Sequence, residues 1–319
     1  MKSRSILSGG AAGAFLFFIA STAIAGVAPS IAVFADFDGD GVTDVGVYNT
    51  SNGDWFIQES TAGFTVVPSF GGANFTPVPA DYDGDGKADV SVYDVTKGDW
   101  FLQETTDGFV TIPAFGGGVF QAVPGDYDGD GKDDPSVYNT TNGDWFMQES
   151  TNGFTVLPTF GGTGFTPVPA DYDGDGVTDQ GVQQPSTGNW YLNESTDGFT
   201  QDLAFGSGGT FLPVPADYDG DGAADISVYS TVNGDWFLKE TTNGFVSVPL
   251  FGGPNFFPVP GFYDSDALAD TAVYDLTKGD WFLNKTTDPF TTIPGFGGPS
   301  YSPAQSLTND VSGGGGAGN

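Results

Sequence analysis

The chain has 319 residues, among them 50 glycines, with no cysteine, no histidine and a formal charge of −33 from 41 acidic against 8 basic side chains. Without His or Cys there is no imidazole base, no thiol nucleophile, no disulfide and no ordinary zinc or copper site. So few basic groups cannot neutralise a row of phosphates, which removes nucleic acid as a partner.

Residues 1–25 have the pattern of a secretory signal peptide. Lys2 and Arg4 open it, Gly9 to Ile19 is small and apolar, and Ala23-Ile24-Ala25 fits an A-x-A cleavage site. The apolar part is short for a membrane span, and nothing later resembles one. Cleavage removes two of the basic residues, leaving six lysines, no arginine and a charge of −35. The expected product is an exported protein without a transmembrane span, in the extracellular space, at the cell surface or in a periplasm.

At Asp36 the chain meets the motif that organises the rest, D-x-D-G-D-G-x-x-D. The first copy places carboxylates at Asp36, Asp38, Asp40 and Asp44, with Val42 at position 7. The second has Asp81, Asp83, Asp85 and Asp89 with Lys87. The third has Asp126, Asp128, Asp130 and Asp134 with Lys132. The fourth has Asp171, Asp173, Asp175 and Asp179 with Val177, and the fifth Asp217, Asp219, Asp221 and Asp225 with Ala223. Successive copies start 45, 45, 45 and 46 residues apart. Four carboxylates in nine residues repel one another unless a cation sits between them. An all-oxygen donor set suits a hard dication, outside a cell usually Ca²⁺, with position 7 adding its backbone carbonyl. A sixth copy is degraded: Phe262 replaces the first Asp and Ala267 the second glycine, leaving Asp264, Asp266 and Asp270. About five calcium sites are therefore expected.

Between the loops lie short alternating apolar runs. In the unit from Phe75 to Gly118 they predict strand a at 75–80, strand b at 90–93, strand c at 99–104 and strand d at 109–112, separated by Gly-rich turns. No helical periodicity is present after residue 25. Four strands in a repeat of about 45 residues predict an all-β fold, a β-propeller of six four-stranded blades over residues 26–305. Paired prolines such as Pro77 and Pro79 remove N–H donors from one edge only, which places strand a at the inner edge of its blade. Strand d, with Pro68, Pro113, Pro158, Pro249 and Pro294 near its end, suits the outer edge.

Trp55, Trp100, Trp145, Trp190, Trp236 and Trp281 occupy one position in strand c. Core packing between blades accounts for them, and stacking against sugar rings is the functional alternative. Glu59, Glu104, Glu149, Glu194 and Glu240 recur at the end of strand c, a recurrence that points to a surface position rather than to one active site. Ring closure has two solutions: side-chain packing between the first and last blades, or exchange of terminal strands involving residues 301–305. Residues 306–319, with Gly313 to Gly316, read as a disordered tail.

The D-x-D-G-D-G-x-x-D loop between two strands, with a Phe-Gly ending to each unit as at Phe70, Phe115 and Phe160, resembles the bacterial FG-GAP/VCBS repeat family. It is more distantly similar to the calcium-bearing blades of integrin α-subunit propellers. The resemblance covers nearly all of the chain after residue 25. It implies Ca²⁺ in the a–b loop of each intact copy and a non-enzymatic role in adhesion or binding, to an extracellular protein or glycan. Some related propellers are lectins with pockets between blades, which makes carbohydrate binding the alternative. A carboxylate-based glycosidase or lyase is a third reading. It would need two carboxylates outside the metal loops on facing blades.

Overall fold

The structure is a computed structural model that describes residues 13–15, 30–298 and 307–309. Among these are strands and turns, and no helix long and apolar enough to cross a membrane. The expected signal segment, the segment 301–305 and the Gly-rich tail lie outside the described residues, apart from Gly13–Phe15 and Leu307–Asn309. These two short strands pair antiparallel.

Residues 30–298 form six four-stranded antiparallel sheets, each built from four consecutive strands in the order a-b-c-d. They are the six blades of a β-propeller. Blade 1 comprises Ser30–Ala35, Asp44–Asn49, Asp54–Gln58 and Phe64–Val67, and blade 2 comprises Phe75–Pro77, Val90–Asp94, Trp100–Glu104 and Gly108–Ile112. Strand a of blade 2 ends three residues earlier than the sequence pattern predicts. Between Pro77 and Pro79, Val78 turns its N–H to strand b and donates to the Ser91 carbonyl at 2.9 Å. The prolines therefore spare the side facing strand b, and the chain rejoins strand b only at the Ala80–Asp89 bridge. Blade 1 lacks this proline pair, and its strand a runs in register with strand b over all six residues.

Burial rises inward across each blade. Val78, Ala80, Val123, Val168, Val214 and Val259 near strand a are fully buried or nearly so, while strand d alternates half-buried and exposed residues. All six strand-c tryptophans are fully buried. Each indole N–H donates to the carbonyl of the Phe in the following Phe-Gly turn, from Trp55 to Phe70 and from Trp281 to Phe296 at 3.0 Å. Core packing, and not sugar stacking, is their role. In five blades a buried Tyr of strand b packs against the Trp with ring centroids 5.0–5.2 Å apart. Its hydroxyl meets the glycine turn so closely that a Cβ on Gly71 would lie 2.2 Å from the Tyr48 oxygen, and Gly71 has φ +117°. Blade 4 carries Gln183 in this place.

The blades are stitched together at the aspartate loops. The N–H of loop position 8 donates to the position-1 carbonyl of the preceding blade: Ala88 to Asp36 at 2.7 Å, Asp133 to Asp81 at 2.7 Å, Thr178 to Asp126 at 2.6 Å, Ala224 to Asp171 at 2.7 Å and Ala269 to Asp217 at 2.7 Å. Thr43 to Phe262 at 2.6 Å completes the ring, and the Thr43 hydroxyl accepts the Phe262 N–H at 2.9 Å. At the rim Phe64 meets Phe296 edge-on at 6.2 Å, as Phe109 meets Phe70 at 6.3 Å. Blade 1 thus joins blade 6 by the contacts that join every other pair, and closure by packing is the solution used. Truncating one of the tryptophans, Trp145→Ala, should cost about 3–5 kcal/mol of stability by the usual price of a large core cavity. Chemical denaturation measures this, and a loss below about 1 kcal/mol would contradict the packing role.

Candidate metal centre

Each intact a–b loop wraps its own first carboxylate. In blade 1 the Asp36 side chain accepts the N–H groups of Gly39 at 2.6 Å, Asp40 at 3.2 Å and Gly41 at 2.8 Å. Gly39 and Gly41 have φ +77° and +84°, the left-handed backbone that lets successive amides converge on one side chain. Position 4 has a second reason to be glycine. A Cβ on Gly39 would come within 2.9 Å of the Lys87 side chain at position 7 of the next blade.

The other carboxylates reach the c–d turn. Asp44 accepts the Phe37 N–H at 2.8 Å and the Ser60 N–H at 2.6 Å. Asp40 accepts the Val42 N–H at 2.9 Å and the Ser60 hydroxyl at 2.5 Å. Asp38 turns one oxygen, Oδ2, to the Thr61 N–H at 3.0 Å, the Thr61 hydroxyl at 2.7 Å and the Ala62 N–H at 2.9 Å. Its other oxygen, Oδ1, is buried without a hydrogen-bond partner, and so are the equivalent oxygens of Asp128, Asp173 and Asp219. An ionised oxygen left bare in this way is costly unless a cation meets it.

Ligand atoms converge in all five intact loops. Carboxylates 1, 3 and 5 (Asp36, Asp38, Asp40 and Asp81, Asp83, Asp85) come within 4.8 Å of one another in blades 1 and 2. In blades 3 to 5 the converging set is positions 1, 3 and 9: Asp126, Asp128, Asp134; Asp171, Asp173, Asp179; Asp217, Asp219, Asp225. The fourth carboxylate of each loop is held by its hydrogen bonds instead. At position 7, the N–H of Val42, Lys87, Lys132, Val177 and Ala223 donates to the position-5 carboxylate at 2.9–3.1 Å. These clusters of oxygen donors fit a hard metal ion.

The degraded loop lacks the first carboxylate. Asp264 has both oxygens engaged, Oδ1 by the Asp266 N–H at 3.2 Å and Oδ2 by Thr287 and Asp288, as Asp83 of the intact blade 2 loop has Oδ1 engaged by the Asp85 N–H at 3.3 Å. Phe262 is buried in an apolar cluster with Val214, Tyr218 and Ala269. Asp264, Asp266 and Asp270 do not form one of the converging clusters found among the described residues.

The pattern-based reading missed the hydroxyl pairs of the c–d turns. Ser60-Thr61, Thr105-Thr106, Ser150-Thr151, Ser195-Thr196, Thr241-Thr242 and Thr286-Thr287 all hold loop carboxylates. Their signal was a hydroxyl pair starting 20 residues after loop position 5 in every copy. The strand-c glutamates also need correction: Glu104, Glu149 and Glu240 are 7–9 % exposed, not at the surface. Strand c ends against the neighbouring blade, and there Glu149 and Glu194 accept hydrogen bonds from Thr155 and Thr200 of their own strand d.

A propeller of six blades joined by an aspartate-loop collar defines the class of this protein. Residues 36–92, from the first loop to strand b of blade 2, match the family of the FG-GAP-like repeat. The match covers most of blade 1 and the start of blade 2, and the later units repeat the same loop and Phe-Gly spacing. No curated protein sequence matches the chain. Among solved structures it is similar to an Agrocybe aegerita lectin described as recognising non-reducing terminal N-acetylglucosamine, at 15 % identity and TM-score 0.57, over 96 % of this chain and 97 % of that one. It is also similar to a part of the Photorhabdus luminescens Tc holotoxin pore, at 15 % identity and TM-score 0.52, covering 90 % of this chain and 15 % of that one. At this identity both likenesses concern the fold.

Burial, reinforced by neighbouring loop carboxylates, pushes the position-9 acids far up from 3.8. Asp44, Asp89, Asp225 and Asp270 rise to about 7, and Asp134 and Asp179 to about 8. Between about pH 4 and these values the metal-free fold holds protons that the unfolded chain has released, so its stability falls as pH rises through that window. Metal binding expels the protons and should cancel the trend. Metal-stripped protein is expected to melt at higher temperature at pH 5 than at pH 8, with the difference shrinking or reversing in millimolar calcium. A stripped protein that gains stability from pH 5 to pH 8 would contradict the assignment.

Proposed function

We propose that this chain is a secreted or cell-surface, non-enzymatic interaction module whose five intact loops bind Ca²⁺ as a structural ion. The observation that carries the metal reading is the position-3 carboxylate, which in four of the five intact loops has one oxygen tied to the c–d turn and the other buried and bare. A dication at that oxygen would bind the a–b and c–d hairpins of a blade to each other, at the end where the blades touch. The export pattern of residues 1–25 and the absence of cysteine agree with an extracellular, metal-dependent scaffold. The non-enzymatic reading is supported by the strand-c glutamates, which repeat from blade to blade and so single out no one centre.

Extracellular calcium modules have dissociation constants of about 10⁻⁴–10⁻³ M. At free Ca²⁺ about tenfold above the constant each site adds roughly 1.4 kcal/mol, and five add about 7, comparable with the whole stability of an ordinary domain. Titration calorimetry should return about five sites, and EGTA should lower the melting temperature markedly. An unchanged melt in excess EGTA would overturn the reading.

A second reading, carbohydrate binding, is favoured by the likeness to the Agrocybe aegerita lectin over nearly the whole of both chains. It adds a ligand to the same calcium-stabilised scaffold. A glycan array probed in millimolar calcium tests it: reproducible binding to defined glycans is expected, and a blank array counts for a protein partner instead.

A further inference from the structure

The groove between blades 4 and 5 breaks the repeat. In strand d of blade 4, Gln201-Asp202 stands where other blades have Val66-Val67, Thr111-Ile112, Val156-Leu157, Ser247-Val248 and Thr292-Ile293. In strand c of blade 5, Lys239 takes the place of Gln58, Gln103, Gln148, Asn193 and Asn284. The two charged replacements meet across the blades as an ion pair. Every other ion pair among the described residues is local, between residues three apart. Beside the Asp202–Lys239 pair opens a cleft of about 300 Å³, walled by Glu194 and Thr200 of blade 4 and by Ala224 and Thr241 of blade 5. Leu192 and Ile226 contribute apolar surface. The propeller does not require this pair of charges, since the other blades carry Val, Ile or Leu at the Asp202 position and Gln or Asn at the Lys239 position.

We infer that this cleft is a binding site for a neutral sugar, one site per propeller; the inference rests on the carbohydrate reading above. A hydroxyl group both donates and accepts, and the cleft offers both: carboxylate acceptors at Glu194 and Asp202, donors at Lys239, and a group of both kinds at Thr200. An anionic ligand would face two carboxylates against one ammonium, in a chain of charge −33. A cationic ligand would compete with Lys239, which already holds Asp202. The volume lies at the small end of the roughly 300–1,000 Å³ range of ligand pockets, which suits one or two sugar units. The wall is fastened to the metal collar, because Thr241 lines the cleft and donates its hydroxyl to Asp221 of the blade 5 loop.

The test is calorimetric titration of the full chain, in millimolar calcium, with lactose, maltose, cellobiose and chitobiose, and with spermidine as the cationic control. Wild type should bind at least one disaccharide with a stoichiometry of about one. The double variant Asp202→Val/Lys239→Gln restores residues that other blades carry, so it should keep the melting temperature while weakening that sugar by about tenfold or more. The variant Gln148→Ala, at the position of Lys239 in the groove between blades 2 and 3, should leave sugar binding unchanged. Sugar binding at wild-type strength by the double variant, or about six sites per chain, would overturn this assignment and leave the carbohydrate reading standing. No sugar binding by wild type, or binding of spermidine alone, would overturn both.

Discussion

Each intact aspartate loop must hold four carboxylates within nine residues, in a chain with almost no basic side chains, and the rest of the architecture follows from how that repulsion is contained. The first carboxylate is enclosed by the amides of its own loop, Gly39, Asp40 and Gly41 in blade 1. The others are drawn to the hydroxyls and amides of the c–d turn. Charge that would splay a hairpin thus ties two hairpins of one blade together. The same loops carry the position-8 to position-1 hydrogen bonds that run from blade to blade and close on Phe262. A metal ion in the loops would therefore act on the blades and on the ring at once.

The degraded sixth loop shows the same framework built another way. Asp264 and Asp266 still bind Thr287 and Thr286, so the hairpins remain joined. Phe262 has left the carboxylate set and entered an apolar cluster, and its backbone meets Thr43 twice. That cluster lies between blades 5 and 6, while the seam to blade 1 keeps the backbone bond of the other seams and adds the Thr43 hydroxyl.

Repetition also gives departures their meaning. Gln183 in place of the strand-b tyrosine, the inserted residue near Gly206 and the Asp202–Lys239 pair all belong to blade 4 or its border with blade 5. Five equivalent settings in the same molecule show what the fold alone demands, and these residues exceed it. Five blades end strand c in a glutamate while blade 6 has Lys285 there, and the Asp202–Lys239 pair joins two blades where the other ion pairs among the described residues stay local.

Much of the fold was legible in the sequence because its determinants are local. The 45-residue spacing, the Trp-aromatic pair, the edge prolines and the glycines of positive φ act within a few residues of where they stand, and they specified six blades, their strand order and the five intact loops. The tertiary structure decided what depends on segments far apart in the chain meeting in space. It selected the hydroxyl pairs that clasp the loops across 20 residues or more, buried the glutamates that recurrence alone placed at the surface, and closed the ring between Thr43 and Phe262, 219 residues apart. Periodicity reports the face and edge of a strand, whereas the partner across a turn or a blade border is set only when the sheets pack.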